Sequence, residues 1–398
     1  MRPLWFRNFV LVIIAFVVIG LAPSIRFSSV QQFGGISGLS SSVNFGTTAS
    51  MKSLAPTSGA FVIAAPATLP HDARELGPLP RARQLQLAFA LTPNNALALA
   101  DVAREISTPG SPIYHRFLSP TDVADRFGPT PATIARVTHE IGDLGLKIGA
   151  LSSNHLMLHA SGSVATLSSS LRAHLVSVSI GNGTLGWRLT SNAFFPAGFA
   201  NDISAVVGLN NVAFAHSMLD TQKSMPTDLS SSAIGSSRMN PTACSSAALA
   251  THYSGGWTES QIASAYGLNP LYGANDLAKG QTIAVVELEP FIKSDIATFD
   301  RCYFGESHVN QIHRLSIDGF TLRGAGSGES VLDIESLSAL APDATIDVYE
   351  APNTTIGTLD TYNAIVSSDS ANLITTSWGE CEQLLDSTSP GARQVENF

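Results

Sequence analysis

Charged residues are scarce in this sequence: Asp, Glu, Lys and Arg make up 13% of its 398 residues, about half the usual share in soluble proteins. Hydrophobic residues make up 44%, which excludes a disordered polar chain and suffices to bury a sizeable core. The formal net charge of −9 argues against a nucleic-acid partner held by non-specific phosphate contacts. The length predicts roughly two to three domains.

Cysteine and cofactor motifs are also scarce. The three cysteines form no C-x-x-C pair, which excludes a disulfide scaffold and a zinc site of that type. No G-x-x-x-x-G-K-[ST] sequence occurs, and the glycine run Gly324–Gly328 follows no strand directly, unlike a dinucleotide-binding turn. We therefore expect no metal and no other cofactor in this chain.

One apolar run, residues 9–22, lies near the N-terminus behind Arg2 and Arg7. Its 14 residues fall short of the roughly 20 that span a bilayer, and small residues follow it. We predict that residues 1–27 are a signal peptide of a secreted protein. The alternative is an uncleaved anchor that attaches the chain to a membrane through residues 9–22.

Two folded units are predicted beyond residues 28–75, a stretch rich in Ser and Gly that we interpret as a linker. Residues 76–218 show the order β-α-α-β-β-α-β, which is typical of a ferredoxin-like α+β unit. His155 and His159 are predicted to share the solvated face of one strand, since no third metal ligand lies nearby. Residues 219–255, again Ser-rich, are predicted to be a second linker.

Residues 256–398 carry a net charge of −14, whereas residues 71–218 are nearly neutral. Apolar strands such as Thr282–Leu288 and Thr345–Glu350 alternate here with helices such as Glu329–Leu340. This pattern predicts a partial α/β unit, a parallel sheet with helices on both faces.

Glu329 and Asp333 are the strongest chemical signal. At positions i and i+4 of a predicted helix, both carboxyl groups face the same way. Two like charges so close raise one pKa, and the pair can share a proton in acid. Such a pair suits a general base with an orienting partner, although acidic pairs are also common on solvated helices. The apolar neighbours Val331, Leu332 and Ile334 favour the first interpretation.

Several stretches together resemble the sedolisin/kumamolisin-type serine-carboxyl peptidases. Residues 76–214, with the segments 112–120 and 127–129, are similar to their activation prodomain. Residues 257–382 are similar to the first part of their subtilisin-like catalytic domain. The matching segments there are Tyr266-Gly267, Ile283–Leu288, Gly328–Glu335, Ala339–Pro342 and Thr376–Gly379.

The resemblance implies roles for four residues. Glu329 would be the general base that deprotonates a nucleophilic serine, and Asp333 would orient it. Glu287 and Trp378 would extend the hydrogen-bond network behind this pair, although strand-end packing explains them equally well. A carboxylate base suits acid conditions, because the ordinary pKa of glutamate lies near 4.3. The implied substrate is a protein or peptide, and the chain's own prodomain is an implied partner.

The second unit contains no G-T-S or G-D-x-G segment, where the family carries its nucleophilic serine and oxyanion aspartate. The resemblance therefore implies a prodomain followed by a truncated catalytic domain, with the family's calcium site in the missing C-terminal part. We expect no peptidase activity from this chain alone. The alternative function is a non-catalytic protein whose first unit inhibits or chaperones a full-length peptidase.

Two further expectations concern export and acid. Because an exported chain can form disulfides, we predict a Cys302–Cys381 bond, with Cys244 left over in the linker.

Seven histidines lie in or beside the near-neutral first unit, so its attraction to the acidic second unit is expected to fade as carboxylates titrate between about pH 5 and 3. We expect acid to expose residues 219–255 to activation cleavage.

Overall fold

The computed structural model describes residues 11–12, 59–181, 183–217, 242–254, 256–305, 311–320, 328–371 and 373–379. The strands, in chain order, are β1 Leu11–Val12, β2 Ala60–Ala64, β3 Arg74–Pro78, β4 Gln84–Leu91, β5 Lys147–Leu151, β6 Met157–Ser163, β7 Leu175–Ile180, β8 Thr184–Leu189, β9 Ala193–Pro196, β10 Ile203–Val207, β11 His216–Ser217, β12 Thr282–Glu287, β13 Ile312–Ser316, β14 Thr345–Glu350, β15 Leu373–Thr376 and β16 Trp378–Gly379. The helices are α1 Ala96–Ser107, α2 Pro120–Phe127, α3 Pro131–Asp143, α4 Val164–Ser170, α5 Ser245–Ser254, α6 Glu259–Ala265, α7 Asn269–Gly273, α8 Lys293–Phe304, α9 Gly328–Leu340 and α10 Thr355–Ser368.

The first unit is built on an antiparallel sheet with the strand order β10-β4-β6-β5. Alternate residues of β4 point into the core, where Leu87 and Phe89 are fully buried, as period-two patterning requires. The helices α3 and α4 cover this face and bury Ile141 and Leu167 against it. A smaller sheet, β3-β7-β8, and the pair β2-β9 complete the unit.

The second unit contains a parallel sheet with the order β1-β15-β12-β14-β13. On one face, Val285 of β12 packs with Ile296 of α8 and Ile334 of α9. On the other face, Val286 packs with Ile365 of α10. The predicted parallel sheet with helices on both faces is confirmed, and so is the strand Thr345–Glu350. The ferredoxin-like and subtilisin-like assignments stay predictions.

The two units meet where the sheet of the first packs on α10 of the second. Ala88 and Val207 form an apolar cluster with Ile356. Beside it, Nε2 of His159 lies 2.6 Å from Oδ1 of Asp360, and both side chains are largely buried. The predicted solvated position of His159 is therefore wrong, because the partner that covers this strand lies 201 residues further along the chain.

Both predicted linkers contain ordered elements. The range 28–75 includes β2, which pairs with β9 and buries Ile63 and Ala64 in the first core. The range 219–255 includes α5, which begins at Ser245. His155 lies in the turn before β6 rather than on the strand, since β6 begins at Met157.

Among the residues described, no helix combines the length and the hydropathy needed to cross a bilayer. Apart from Leu11–Val12, the predicted signal segment lies outside the described residues.

Candidate active site

Four side chains named from the sequence meet at the carboxyl edge of the parallel sheet. Glu287 is the last residue of β12, and Trp378 follows the neighbouring strand β15. These strands are parallel, so they end at the same edge of the sheet, where α/β proteins place their ligands. Above this edge, α9 carries Glu329 in its first turn and Asp333 one turn later.

Glu329 is only 3% exposed. Its place in the first turn of α9 suits a carboxylate, because the free N–H groups of a helix start favour negative charge. The hydroxyl of Ser217 donates a hydrogen bond to Oε2 of Glu329. Ser217 ends the first unit on β11, which pairs antiparallel with β16 so that Ser217 faces Trp378. An extended backbone segment thus carries a serine hydroxyl to the proposed base.

Glu287 is fully buried and holds the centre of a hydrogen-bond network. Its Oε2 accepts a 2.9 Å hydrogen bond from Nε1 of Trp378 and a 2.7 Å hydrogen bond from the hydroxyl of Ser330. Asp333 accepts a 2.7 Å hydrogen bond from the hydroxyl of Ser377. A role for Ser330 was not predicted from the sequence, although Ser330 lies beside Glu329 in the segment Gly328–Glu335.

Two carboxyl groups of the site, those of Glu287 and Asp333, have raised pKa values. Burial, more than any other cause, raises the pKa of Glu287 to about 8, although Ser330 and Trp378 oppose the rise by donating hydrogen bonds. Burial and then the charge of Glu329 raise the pKa of Asp333 to about 6. At the mildly acid pH where a carboxylate base works, Glu287 is therefore protonated.

Glu335, the third acid of the same segment, points away from this network. Burial first, and then the charges of Glu259, Asp295 and Asp300, raise its pKa to about 8. Within the described ranges, no group of three or more His, Cys, Asp or Glu side chains could hold a metal ion. The calcium site implied by the resemblance stays a prediction.

The predicted Cys302–Cys381 bond is wrong, because Cys302 is bonded to Cys244, with their Cα atoms 5.1 Å apart. The residues around Cys244 do not form a linker: Ala243 and Ala247 pack with Cys302, Phe304 and Ala339 in an apolar cluster. Cys381 lies outside the described residues.

Comparison with known proteins matches residues 71–212 to the Pro-kumamolisin activation domain. Xanthomonalisin of Xanthomonas sp. (strain T-22) is 25% identical over 314 residues, which cover 75% of this chain and 35% of the relative. Kumamolisin of Bacillus sp. (strain MN-32) is 35% identical over 129 residues, 30% of this chain and 22% of the relative.

Sedolisin of Pseudomonas sp. (strain 101) is 28% identical over 121 residues, 30% of this chain and 20% of the relative. The chain thus spans 35% of the length of xanthomonalisin and smaller shares of the other two.

Proposed function

Because the chain is related to the sedolisin-type peptidases and carries their activation prodomain, we propose that it contains the base side of an acid-acting serine-carboxyl endopeptidase, made as a zymogen. The substrate is a protein or peptide, and the reaction transfers an acyl group first to serine and then to water. The proposal rests on one observation: buried Glu329 accepts a hydrogen bond from a serine hydroxyl, and Asp333 lies one helical turn away.

In this mechanism, the carboxylate of Glu329 takes the proton of the nucleophilic hydroxyl as its oxygen attacks the peptide carbonyl. Glu329 then gives the proton to the leaving amine and repeats the transfer with water. Asp333 orients Glu329. Protonated Glu287, which accepts a hydrogen bond from Trp378, extends the hydrogen-bond network behind this pair. The second unit contains no G-T-S segment to supply the nucleophile, so we expect the 398-residue chain alone to be inactive.

The first unit is proposed to act as the inhibitory partner of the site. Residues 216–217 pair with β16 as the extended backbone of a substrate would. The hydroxyl of Ser217 donates a hydrogen bond to Glu329, so the carboxylate is not free to accept a proton from another hydroxyl. Activation then requires this strand to leave, and cleavage between Ser217 and Cys244 would release it. The disulfide would keep the new N-terminal segment attached to α8.

We propose that the protein is secreted. The charged start followed by the apolar residues 9–22 supports export. The Cys244–Cys302 disulfide supports the same location, since such bonds persist in oxidising compartments.

The test is an assay of the protein produced from its intact gene, on a fluorogenic peptide library at pH 3–5. We expect the rate of hydrolysis to fall at least about 100-fold in Glu329→Gln and in Asp333→Asn, because a general base typically accelerates a reaction by that factor or more. The matched control is Glu289→Gln, because Glu289 is an exposed acid close to the same edge. Absence of hydrolysis, or hydrolysis that survives Glu329→Gln, would reject the peptidase proposal.

The second candidate is a non-catalytic inhibitor or chaperone of a full-length peptidase. It is favoured by the first unit, which has a large core of its own and whose strand β11 already covers Glu329. This function requires the purified chain to inhibit or refold a sedolisin-type peptidase in a dose-dependent way, while hydrolysing no peptide itself.

A further inference from the structure

Two buried oxygen atoms of the site lack a hydrogen-bond partner among the described residues: Oε1 of Glu287 and Oδ2 of Asp333. Buried polar atoms are nearly always satisfied in folded proteins. A hydrogen bond with Glu287 lowers the pKa of Asp333, so the two carboxyl groups are close enough to share a proton. One proton placed on Oε1 of Glu287 and donated to Oδ2 of Asp333 satisfies both atoms at once.

The position of this proton depends on the groups at the other oxygen of Glu287. Nε1 of Trp378 can only donate, so it uses one lone pair of Oε2. The hydroxyl of Ser330 lies 2.7 Å from Oε2 and 2.9 Å from the carbonyl oxygen of Glu289, and it has a single hydrogen to donate. When that hydrogen goes to Glu289, Ser330 can accept a proton carried on Oε2, and Asp333 loses its donor.

We propose that Ser330 is a positioning residue, whose hydroxyl donates to Oε2 of Glu287 and so keeps the Glu287 proton on Oε1, shared with Asp333. The titratable groups that face Glu287 are Asp333 and Glu329, both on α9. An ionised Asp333 favours this arrangement, because it attracts the proton to the side that faces it. The relevance of the arrangement to proteolysis rests on the proposed function.

The proposal has a measurable signature in both carboxyl groups. A donor at Oε2 stabilises ionised Glu287, and it also makes the protonated group a stronger donor to Asp333, because hydrogen bonds in a chain polarise one another. Loss of the Ser330 hydroxyl is therefore expected to raise the pKa of Glu287 and of Asp333 together. A residue that only fills space would change stability without moving both titrations.

The experiment is a carbon-13 NMR titration of the full chain, labelled at the side-chain carboxyl carbons, between pH 4 and 10. The two resonances are assigned with Glu287→Gln and Asp333→Asn. In Ser330→Ala we expect both apparent midpoints to rise, that of Glu287 by about half a pH unit or more, the effect of losing one hydroxyl donor. Ser330→Thr, which keeps the hydroxyl, should restore both midpoints towards the parent values.

The matched control is Ser338→Ala, since Ser338 is a buried serine two turns further along the same helix. Unchanged midpoints in Ser330→Ala, or equal changes in Ser338→Ala, would overturn the proposal. If Ser330→Ala does not fold, Ser330→Thr, which keeps the hydroxyl, is compared with Ser330→Cys, which lacks it. Titration midpoints displaced as far in Ser330→Thr as in Ser330→Cys would also overturn the proposal. No substrate is present, so a failure of the proposed peptidase function would leave this result unaffected.

Discussion

The buried Glu287 predicts that acid stabilises the second unit. Its pKa is raised to about 8 in the folded protein, whereas an exposed glutamate in the unfolded chain titrates near 4.3. Between these values, the folded state holds a proton that the unfolded state has released. The free energy of unfolding therefore falls as the pH rises from about 4 to 8, and the contribution is complete below about pH 4.

The magnitude follows from the size of the pKa change. A pKa difference of roughly 3.7 corresponds to about 5 kcal/mol, of which about 4 kcal/mol is lost between pH 4 and pH 8. This is a large share of the 5–15 kcal/mol by which a typical domain is stable. Asp333, with its pKa raised to about 6, changes stability in the same direction.

Glu287→Gln isolates this effect. The amide can accept the hydrogen bonds of Trp378 and Ser330 through its oxygen and donate to Asp333 through its nitrogen, as protonated glutamate does. We expect the variant to match the parent at pH 4 and to exceed its unfolding free energy by about 4 kcal/mol at pH 8. The control Glu289→Gln should follow the parent at both values.

The assay is urea unfolding at pH 4, 6 and 8, with hydrogen exchange of peptides from β12 assigning the transition to the second unit. A parent protein that becomes more stable from pH 4 to 8 would refute the reasoning. A Glu287→Gln variant that loses as much stability as the parent over this range would refute it equally.

Three other perturbations test the rest of the structure. His159→Gln should weaken the contact between the first unit and α10 by about 2 kcal/mol. The loss should be larger at pH 6 than at pH 9, because the hydrogen bond to Asp360 raises the pKa of His159, and hydrogen exchange of β6 measures it. Cys302→Ser opens a disulfide with a sequence separation of 58 and should lower the unfolding free energy by about 4 kcal/mol, as urea titration would show. Leu167→Ala leaves a cavity at a fully buried position of the first core and should lower the unfolding free energy of the first unit by about 3 kcal/mol, as thermal unfolding followed by circular dichroism would show.

The sequence predicted the elements whose patterning is local. The alternation of β4 and the apolar strand Thr345–Glu350 require no partner to be recognised, and the spacing of Glu329 and Asp333 follows from helix geometry alone. The strand β2 was missed because its five residues lie in a Ser- and Gly-rich stretch, and its partner β9 lies more than 100 residues away. Local periodicity carries no information about such a pairing.

The errors at the site have the same origin. Ser330 and Ser217 are ordinary serines in the sequence, and only the packing of α9 and β16 shows what their hydroxyls contact. Cys244 follows a Ser-rich stretch, so its place beside α8 could not be inferred from composition. Glu287 and Trp378 were named only through the family resemblance, since a strand end by itself does not indicate a buried network.

The acid response of the whole chain combines opposite local effects. The contact between His159 and Asp360 strengthens as the pH falls towards 6.5, because the raised pKa of the histidine favours its charged form. The contact between His159 and Asp360 therefore does not itself loosen the first unit as the pH falls through this range. At about pH 4, Glu287 and Asp333 are both protonated, and the second unit has gained nearly all of its acid stabilisation. Under the proposed function, release of β11 from Glu329 would then leave the second unit most stable at the acid pH where a carboxylate base can work.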